Sequence, residues 1–290
     1  MTVKLPGIAA LAIAALLITS APVHGSDGSA GSGSRDQVAD RSAARIAATT
    51  WAQQGFSRPM IKGVDVSRWD HHGSGRLNFR KMQRRGARFV FIKASDGIPK
   101  YDAEAAYWWS IDKPAAKASR LLVGGYQYVV PTADVSQLVP DAVAKARVAS
   151  RRVGRIRKGQ LPLVCDLEEA PKSLTKDELT LWALTWLRTA HRLTRTKPIL
   201  YTYTYFAKSR LRTDTGLAKY HFWQADWGVG RSEPPVVPGL QPATFWQFSS
   251  DGVIKGAGKD RTDLNVFMGT ARQLLQLAKL PWHKRRYYGL

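Results

Sequence analysis

"PLVCDLEE", residues 162–169, contains the transition on which the fold reading turns: an apolar run, 161–165, ends abruptly in Asp166, Leu167, Glu168 and Glu169. A short apolar run with so sharp an end reads as a buried strand. Strands that are apolar on both faces belong to parallel sheets covered by helices. In a parallel α/β barrel, the C-terminal strand ends build the active site. Side chains alternate along a strand, so Asp166 and Glu168 share one face, about 7 Å apart along the chain, and Leu167 takes the other. If that face is the barrel interior, each carboxylate raises the pKa of its neighbour and burial adds to the effect. One protonated acid beside one carboxylate near neutral pH is what glycoside hydrolysis requires. Asp-x-Glu alone is also what a solvated strand end looks like, so the rest of the chain has to decide.

Working outward, strand-like runs recur at 61–67, 89–95, 121–130, 198–204, 221–227 and 244–250, with a further one at 263–267. Helix-like segments at 79–85, 103–119, 135–153 and 176–193 fill the early gaps. The last of these carries Leu179, Trp182, Ala183, Trp186, Leu187 and Ala190 at helical spacing. Strands alternating with helices predict βαβ units and a parallel sheet, and eight strands predict a closed, irregular β/α barrel. The later gaps are short or Pro-rich and predict a second half poor in helix. The barrel is assigned to 60–280, followed by a basic tail, 281–290, expected to be solvated.

The chain has 290 residues, of which 44% are hydrophobic, enough for one such domain. At the N-terminus, Lys4 precedes an almost wholly apolar stretch, 5–18, and Val23-His24-Gly25 offers a small-residue cleavage site. This pattern predicts an export signal, 1–25; the stretch is short for a membrane span. The following 26–59, Gly/Ser-rich and then Ala-rich, reads as a flexible or partly helical linker. The expected location is therefore outside the cytoplasm, extracellular or periplasmic. The lone cysteine, Cys165, precludes an intramolecular disulfide and reads as a small buried hydrophobe. A formal charge of +22 creates a field that attracts polyanions, and in an exported protein anionic wall polymers are the accessible ones.

The other strand ends are also polar or aromatic: "GVDVSRW" (63–69), "FVFIKASDG" (89–97), "GGYQY" (124–128), "PILYTYTYF" (198–206), "FWQADWG" (222–228), "FWQFSSDG" (245–252) and "DLNVF" (263–267). In this order, together with "PLVCDLE", the motifs resemble glycoside hydrolase family 25, the muramidases often called Chalaropsis-type lysozymes. The likeness runs from Gly63 to Phe267. It implies an irregular β/α barrel that hydrolyses the β-1,4 bond between N-acetylmuramic acid and N-acetylglucosamine in peptidoglycan, without metal or organic cofactor. It implies Glu168 as general acid. For Asp166 it implies either a hold on the substrate's 2-acetamido group or help in activating water. Asp65 and Asp263 are the supporting carboxylates. The chain departs from the family pattern at Asp70, where Gln is commoner, at Ser95-Asp96, where Thr-Glu is usual, and at Gln127-Tyr128, in place of His-Phe. These departures put subsite contacts in question.

Tyr126, Tyr128, Tyr201 and Trp223 are expected to wall the sugar site, since rings pack on apolar sugar faces, with Lys93 and Gln247 as polar contacts. Rival chemistries find less support. His71-His72 beside Asp70 could ligate a metal, but adjacent histidines rarely converge, and His191, His221 and His283 lack ligand spacing. There is no Gly-x-Ser-x-Gly elbow and no phosphate-binding loop. A chitinase-like or N-acetylglucosaminidase barrel remains an alternative, as does a non-catalytic wall-binding protein. No nucleic-acid partner is expected, and the chain is taken as a monomer.

Overall fold

The computed structural model describes residues 50–51, 54–71, 75–212, 214–228, 230–257 and 261–290. The expected export signal, most of the expected linker and His72 lie outside them. Strands form where the apolar runs lie: β1 (Ile61–Val66), β2 (Ala87–Asp96), β3 (Leu122–Val129), β4 (Val164–Leu167), β5 (Ile199–Tyr203), β6 (His221–Ala225), β7 (Phe245–Gly252) and β8 (Thr262–Phe267). They close into one barrel in chain order. Helices α1 (Phe79–Arg84), α2 (Pro99–Ala118), α3 (Leu138–Val153) and α4 (Lys176–Thr194) follow the first four strands. The second half is irregular, as expected. Only the short α5 (Thr204–Arg210) follows β5, and among the described residues no α-helix separates β6 from β7 or β7 from β8.

Helix α4 shows how local sequence fixes an element. Thr175 and Glu178 form a capping box, each side chain accepting from the other's backbone N–H, at 3.2 and 2.8 Å. The stripe from Leu179 to Ala190 is buried against the sheet, and large apolar side chains contribute roughly 1.5–3 kcal/mol each on burial. Its two buried indoles find acceptors: Trp182 donates to Asp141 (2.7 Å) and Trp186 to Gln127 (2.9 Å).

Inside the barrel, Phe89, Phe91, Phe245, Phe267, Leu122 and Ile199 fill the half nearer the N-termini of β1 to β7. Glycine makes room for two of these rings: a Cβ on Gly63 would meet the Phe89 ring at 2.3 Å, and one on Gly124 the Phe91 ring at 2.3 Å.

The sheet is not parallel throughout, contrary to expectation. β1 to β7 are parallel, but β8 pairs antiparallel with both β7 and β1. Gly252 and Thr262 are separated by too short a stretch for the roughly dozen or more residues that a parallel crossover needs, so the chain turns back as a hairpin.

Both ends of the expected domain also need correction. Trp51 and Gln54, assigned to the linker, are buried. Trp51 donates to the Asn265 carbonyl (3.3 Å), and Phe56 packs edge-on against Trp246 and Phe248. The tail is not wholly solvated: after α6 (Ala271–Leu277), α7 (Arg285–Tyr288) ends against the barrel, where Tyr288 and Leu290 pack on the interior cluster and Gly289 O accepts from Arg88 Nε at 2.7 Å.

Candidate active site

The reversal of β8 decides the geometry at the mouth. Asp263 begins its strand, yet antiparallel pairing places it directly opposite Asp65 at the end of β1. Asp166 lies in β4 and Glu168 just beyond it, both on the inward face, while Cys165 and Leu167 face the helices. The four carboxylates singled out in the sequence are thus brought together as two touching pairs: Asp65 hydrogen-bonds Asp263, and Asp166 hydrogen-bonds Glu168. The hydrogen bond between Asp166 and Glu168 brings their carboxyl groups closer than their spacing along the strand implies.

Burial is the largest cause of their electrostatics, and it raises the pKa of every member. Asp65 is raised, Asp166 and Asp263 well above the usual carboxylate range, and Glu168 up to about 7. Repulsion adds to this: Asp65 raises Asp166, Glu168 and Asp263 alike. Lys93 is the opposing charge, lowering both Asp166 and Glu168. Its ammonium donates to Asp96 (3.0 Å) and lies 4.9 Å from the Tyr128 ring centre. The mouth therefore retains protons near neutral pH, shared within each pair.

Asp65 is held by a chain of buried amides. Its Oδ2 accepts from Asn265 Nδ2 (2.6 Å) and Gln247 Nε2 (3.0 Å). Asn265 Oδ1 in turn accepts from Trp223 Nε1 (2.8 Å). Gln247 Oε1 accepts from the Tyr201 hydroxyl (3.0 Å) and Trp227 Nε1 (2.9 Å). Each amide has its acceptor and donor sides fixed by partners, so Asp65 faces two donors. Asp166 differs: its Oδ1 is buried without a hydrogen-bond partner among the described residues.

The expected substrate contacts divide. Lys93 and Tyr128 are partly exposed beside the acids, and Tyr128 hydrogen-bonds Glu169. Tyr126, Tyr201 and Gln247 are buried beneath the acids and form the floor of the mouth. Trp223 is not a sugar wall. It is 2% exposed and stacked on Phe91 at 4.4 Å. Alternation along β6 turns it inward, and a residue that short of the strand end is covered by the layer above it.

The exposed rings at the mouth are others. Trp69 follows β1 and is 65% exposed, Tyr205 follows β5 at 74%, and Trp227 follows β6 at 53%. All three stand in stretches read as strand ends, but periodicity distinguishes faces within a strand and says nothing of loops beyond it. Asp70 was also undervalued. Its Oδ2 accepts from Ser67 N (2.8 Å), its Oδ1 from Thr262 Oγ1 (3.0 Å), and burial pushes its pKa to about 6. Of the other departures, Asp96 and Tyr128 stand at the mouth beside Lys93, whereas Gln127 donates to Ser95 (3.0 Å), which donates to Asp102 (2.7 Å), on the helix-facing side.

His71 is engaged away from the mouth. Its Nε2 meets Asp112 at 2.8 Å and its ring stacks on Trp108. Among the described residues no cluster of three or more His, Cys, Asp or Glu is arranged to hold a metal ion.

Comparison with known proteins agrees with this architecture. Residues 64–257 match the family model described as glycosyl hydrolases family 25. Lysozyme M1 of Streptomyces globisporus is 30% identical over 224 residues, 75% of this chain and 71% of the relative. The crystal structure of the bacterial lysozyme from Streptomyces coelicolor superposes with a TM-score of 0.66 at 27% identity, covering 77% of this chain and 98% of that one. A family GH25 lysozyme from Aspergillus fumigatus has the same fold, with a TM-score of 0.60 at 23% identity over 76% and 99% of the two chains. With the eight-stranded barrel, the paired carboxylates at its mouth and a family match across most of the chain, this protein belongs to glycosyl hydrolases family 25.

Proposed function

We propose that the chain is a peptidoglycan hydrolase of the muramidase type, cleaving the β-1,4 bond between N-acetylmuramic acid and N-acetylglucosamine. The observation that carries this reading is the Asp166–Glu168 pair, which holds a proton near neutral pH in a mouth rimmed by exposed Trp69, Tyr205 and Trp227. Glu168, with its pKa near 7, gives its proton to the glycosidic oxygen as the bond to C1 breaks, so the leaving sugar departs as a neutral alcohol. Positive charge then develops at C1 and the ring oxygen and is stabilised by the carboxylates around it. The unpartnered Oδ1 of Asp166 suits an N–H donor, as the 2-acetamido group supplies. Held there, the acetamido oxygen can close on C1, and water then opens that ring, losing a proton to Glu168 as it attacks. The same Asp166 could instead orient the water directly; the orphaned acceptor favours the first route.

Asp65 and Asp263 act from the side, setting the field and the proton count. The amide chain through Gln247 and Asn265 keeps Asp65 in place. Lys93 and Tyr128 are proposed as substrate contacts, and Tyr126 and Tyr201 as the polar floor beneath the sugar. No metal or organic cofactor enters this chemistry. The enzyme is proposed to act outside the cytoplasm, exported by residues 1–25. No helix among the described residues is long and apolar enough to cross a membrane.

Mass analysis of purified peptidoglycan digested by the full chain tests the reading. New reducing ends on muramic acid support it. Reducing ends on glucosamine would make the chain a glucosaminidase, and binding without any new ends would make it a wall-binding protein.

A further inference from the structure

The end of the barrel opposite the mouth carries the reverse charge. Segments 81–88, 117–121, 150–163 and 188–198 lead into β2, β3, β4 and β5, and 277–290 closes the chain. None of the five contains an Asp or Glu, and all carry Arg or Lys. Because β1 to β7 run parallel and β8 returns against them, all five segments arrive at the same end of the barrel. Their contacts show it: Lys279 Nζ donates to Ile156 O at 3.1 Å, Gly159 N to Ala278 O at 2.9 Å, and the Arg120 guanidinium lies 5.0 Å from the Tyr287 ring centre.

One part of this face is concave. A hollow of about 360 Å³ is lined by Arg188, His191, Arg192, Arg195 and Tyr220. Arg188 and Arg192 stand one turn apart at the end of α4, and Arg195 continues the same stripe, so three guanidinium groups share one side. None of the three takes part in an ion pair among the described residues. Cations near a helix C-terminus are favoured by the helix dipole, which accounts for one or two of them. It does not account for stacking like charges at i and i+4, which repel. Nor does it account for Arg195, whose φ of 58° is left-handed, a conformation in which glycine is the unstrained choice. The left-handed backbone there carries a side chain with no ion-pair partner among the described residues.

We propose that this hollow binds the phosphodiester groups of an anionic, polyol-phosphate polymer of the cell envelope. Guanidinium forks match phosphate oxygens two at a time, and the acid-free surroundings extend the attraction along a chain of them. The same polymer is repelled by the carboxylates at the mouth. Docking by the basic end therefore leaves the mouth turned outward, toward the glycan. This inference rests on the proposed wall-directed function and adds a partner and an orientation to it.

The test is a titration of the full chain with poly(glycerol phosphate) at several salt concentrations, beside the triple variant Arg188→Gln, Arg192→Gln, Arg195→Gln. With about 0.7 in logarithmic salt slope per phosphate contact, the triple variant should bind about tenfold or more weaker and with a slope shallower by about two. Its turnover of a short neutral glycan should equal that of the parent chain. Arg195→Gly, which keeps the left-handed backbone and removes one guanidinium, provides a second variant certain to suit the turn. It should show a smaller loss in the same direction. Unchanged affinity in both variants would overturn the proposal, and so would duplex DNA binding the hollow more tightly than the polyol phosphate at equal salt. The outcomes for the two readings separate, because glycan turnover by the parent chain reports on the hydrolase and the polymer titration reports on the hollow.

Discussion

On the barrel interior, register pairs Phe89 with Leu122, Val164 with Ile199 and Phe245 with Phe267. One or two inward positions further toward the mouth, the same strands present Lys93, Asp166, Gln247 and, across the seam, Asp65 opposite Asp263. The lower layer is rings and branched chains in van der Waals contact, with glycines cut to fit them. The upper layer sets like charges directly against each other, an arrangement that costs stability wherever it occurs in a sheet. The lower half holds the barrel closed, and that rigidity lets the upper half keep carboxylates at distances they would not choose. Each half can be damaged separately, and the damage should appear in a different measurement.

The largest separation is expected from Glu168→Gln. Hydrolysis of peptidoglycan should fall by about 10²–10⁴-fold, the usual worth of general acid catalysis, while the melting temperature stays level or rises because one member of a repelling pair has become neutral. A steady-state assay with a thermal melt checks both. A variant that retained most activity would remove Glu168 from the mechanism.

Next comes Trp223→Ala, which attacks the lower half through a residue that the sequence alone placed in the upper one. Deleting a buried Trp typically costs about 3–5 kcal/mol, and here it also strips Asn265 of its donor. Denaturant unfolding should show that loss, with glycan affinity of the folded fraction little changed. If affinity collapsed at unchanged stability, the ring would belong to the substrate after all.

A third test uses pH. Glu168 titrates near 7 and Asp70 near 6 when folded, whereas unfolded carboxyls titrate near 4. Between about pH 4 and 7 the folded mouth therefore binds protons that the unfolded chain has released. Stability should fall as pH rises through that window, by up to about 6 kcal/mol in total. Hydrolysis should decline above about pH 7, as Glu168 loses the proton it must donate. Melting curves and rate profiles across this range measure both. In Glu168→Gln the stability slope should flatten, and an unflattened slope would assign it to groups elsewhere.

The smallest effect is expected from Trp227→Ala. This ring is exposed at the rim and donates to Gln247, so KM should rise several-fold, with stability within about 0.5 kcal/mol of the parent. Comparing KM with kcat on a soluble glycan checks it. A fall in kcat alone would mean that the ring acts through the Gln247–Asp65 bond rather than by holding sugar.

Much of this molecule was legible in the chain itself. The apolar runs placed all eight strands, and the spacing of Leu179, Trp182, Trp186 and Ala190 placed α4, because burial against a neighbour imposes a period of two or of three to four wherever it occurs. Asp166 and Glu168 were recognisable because they break that period where an apolar strand ends, whereas Asp65 and Asp263 were singled out through the resemblance of their motifs to glycoside hydrolase family 25. The departures at Ser95 and Gln127, suspected of touching substrate, turn out to face the helices: Gln127 by plain alternation after inward Tyr126, and Ser95 because an irregularity in β2 after Lys93 shifts the register there.

The sequence by itself determined which residues form each strand and which of its faces is buried, because those follow from covalent alternation and local hydrophobicity. Only the tertiary structure decided the direction of β8, and with it whether Asp263 meets Asp65. The closure of the ring also set the depth at which Trp223 lies and the way Gln247 and Asn265 clamp Asp65 from two different strands. At the other end it gathered basic segments scattered from 81 to 290 onto one face. These depend on which strand ends become neighbours when eight strands close, and that is a property of the ring as a whole rather than of any single stretch of chain.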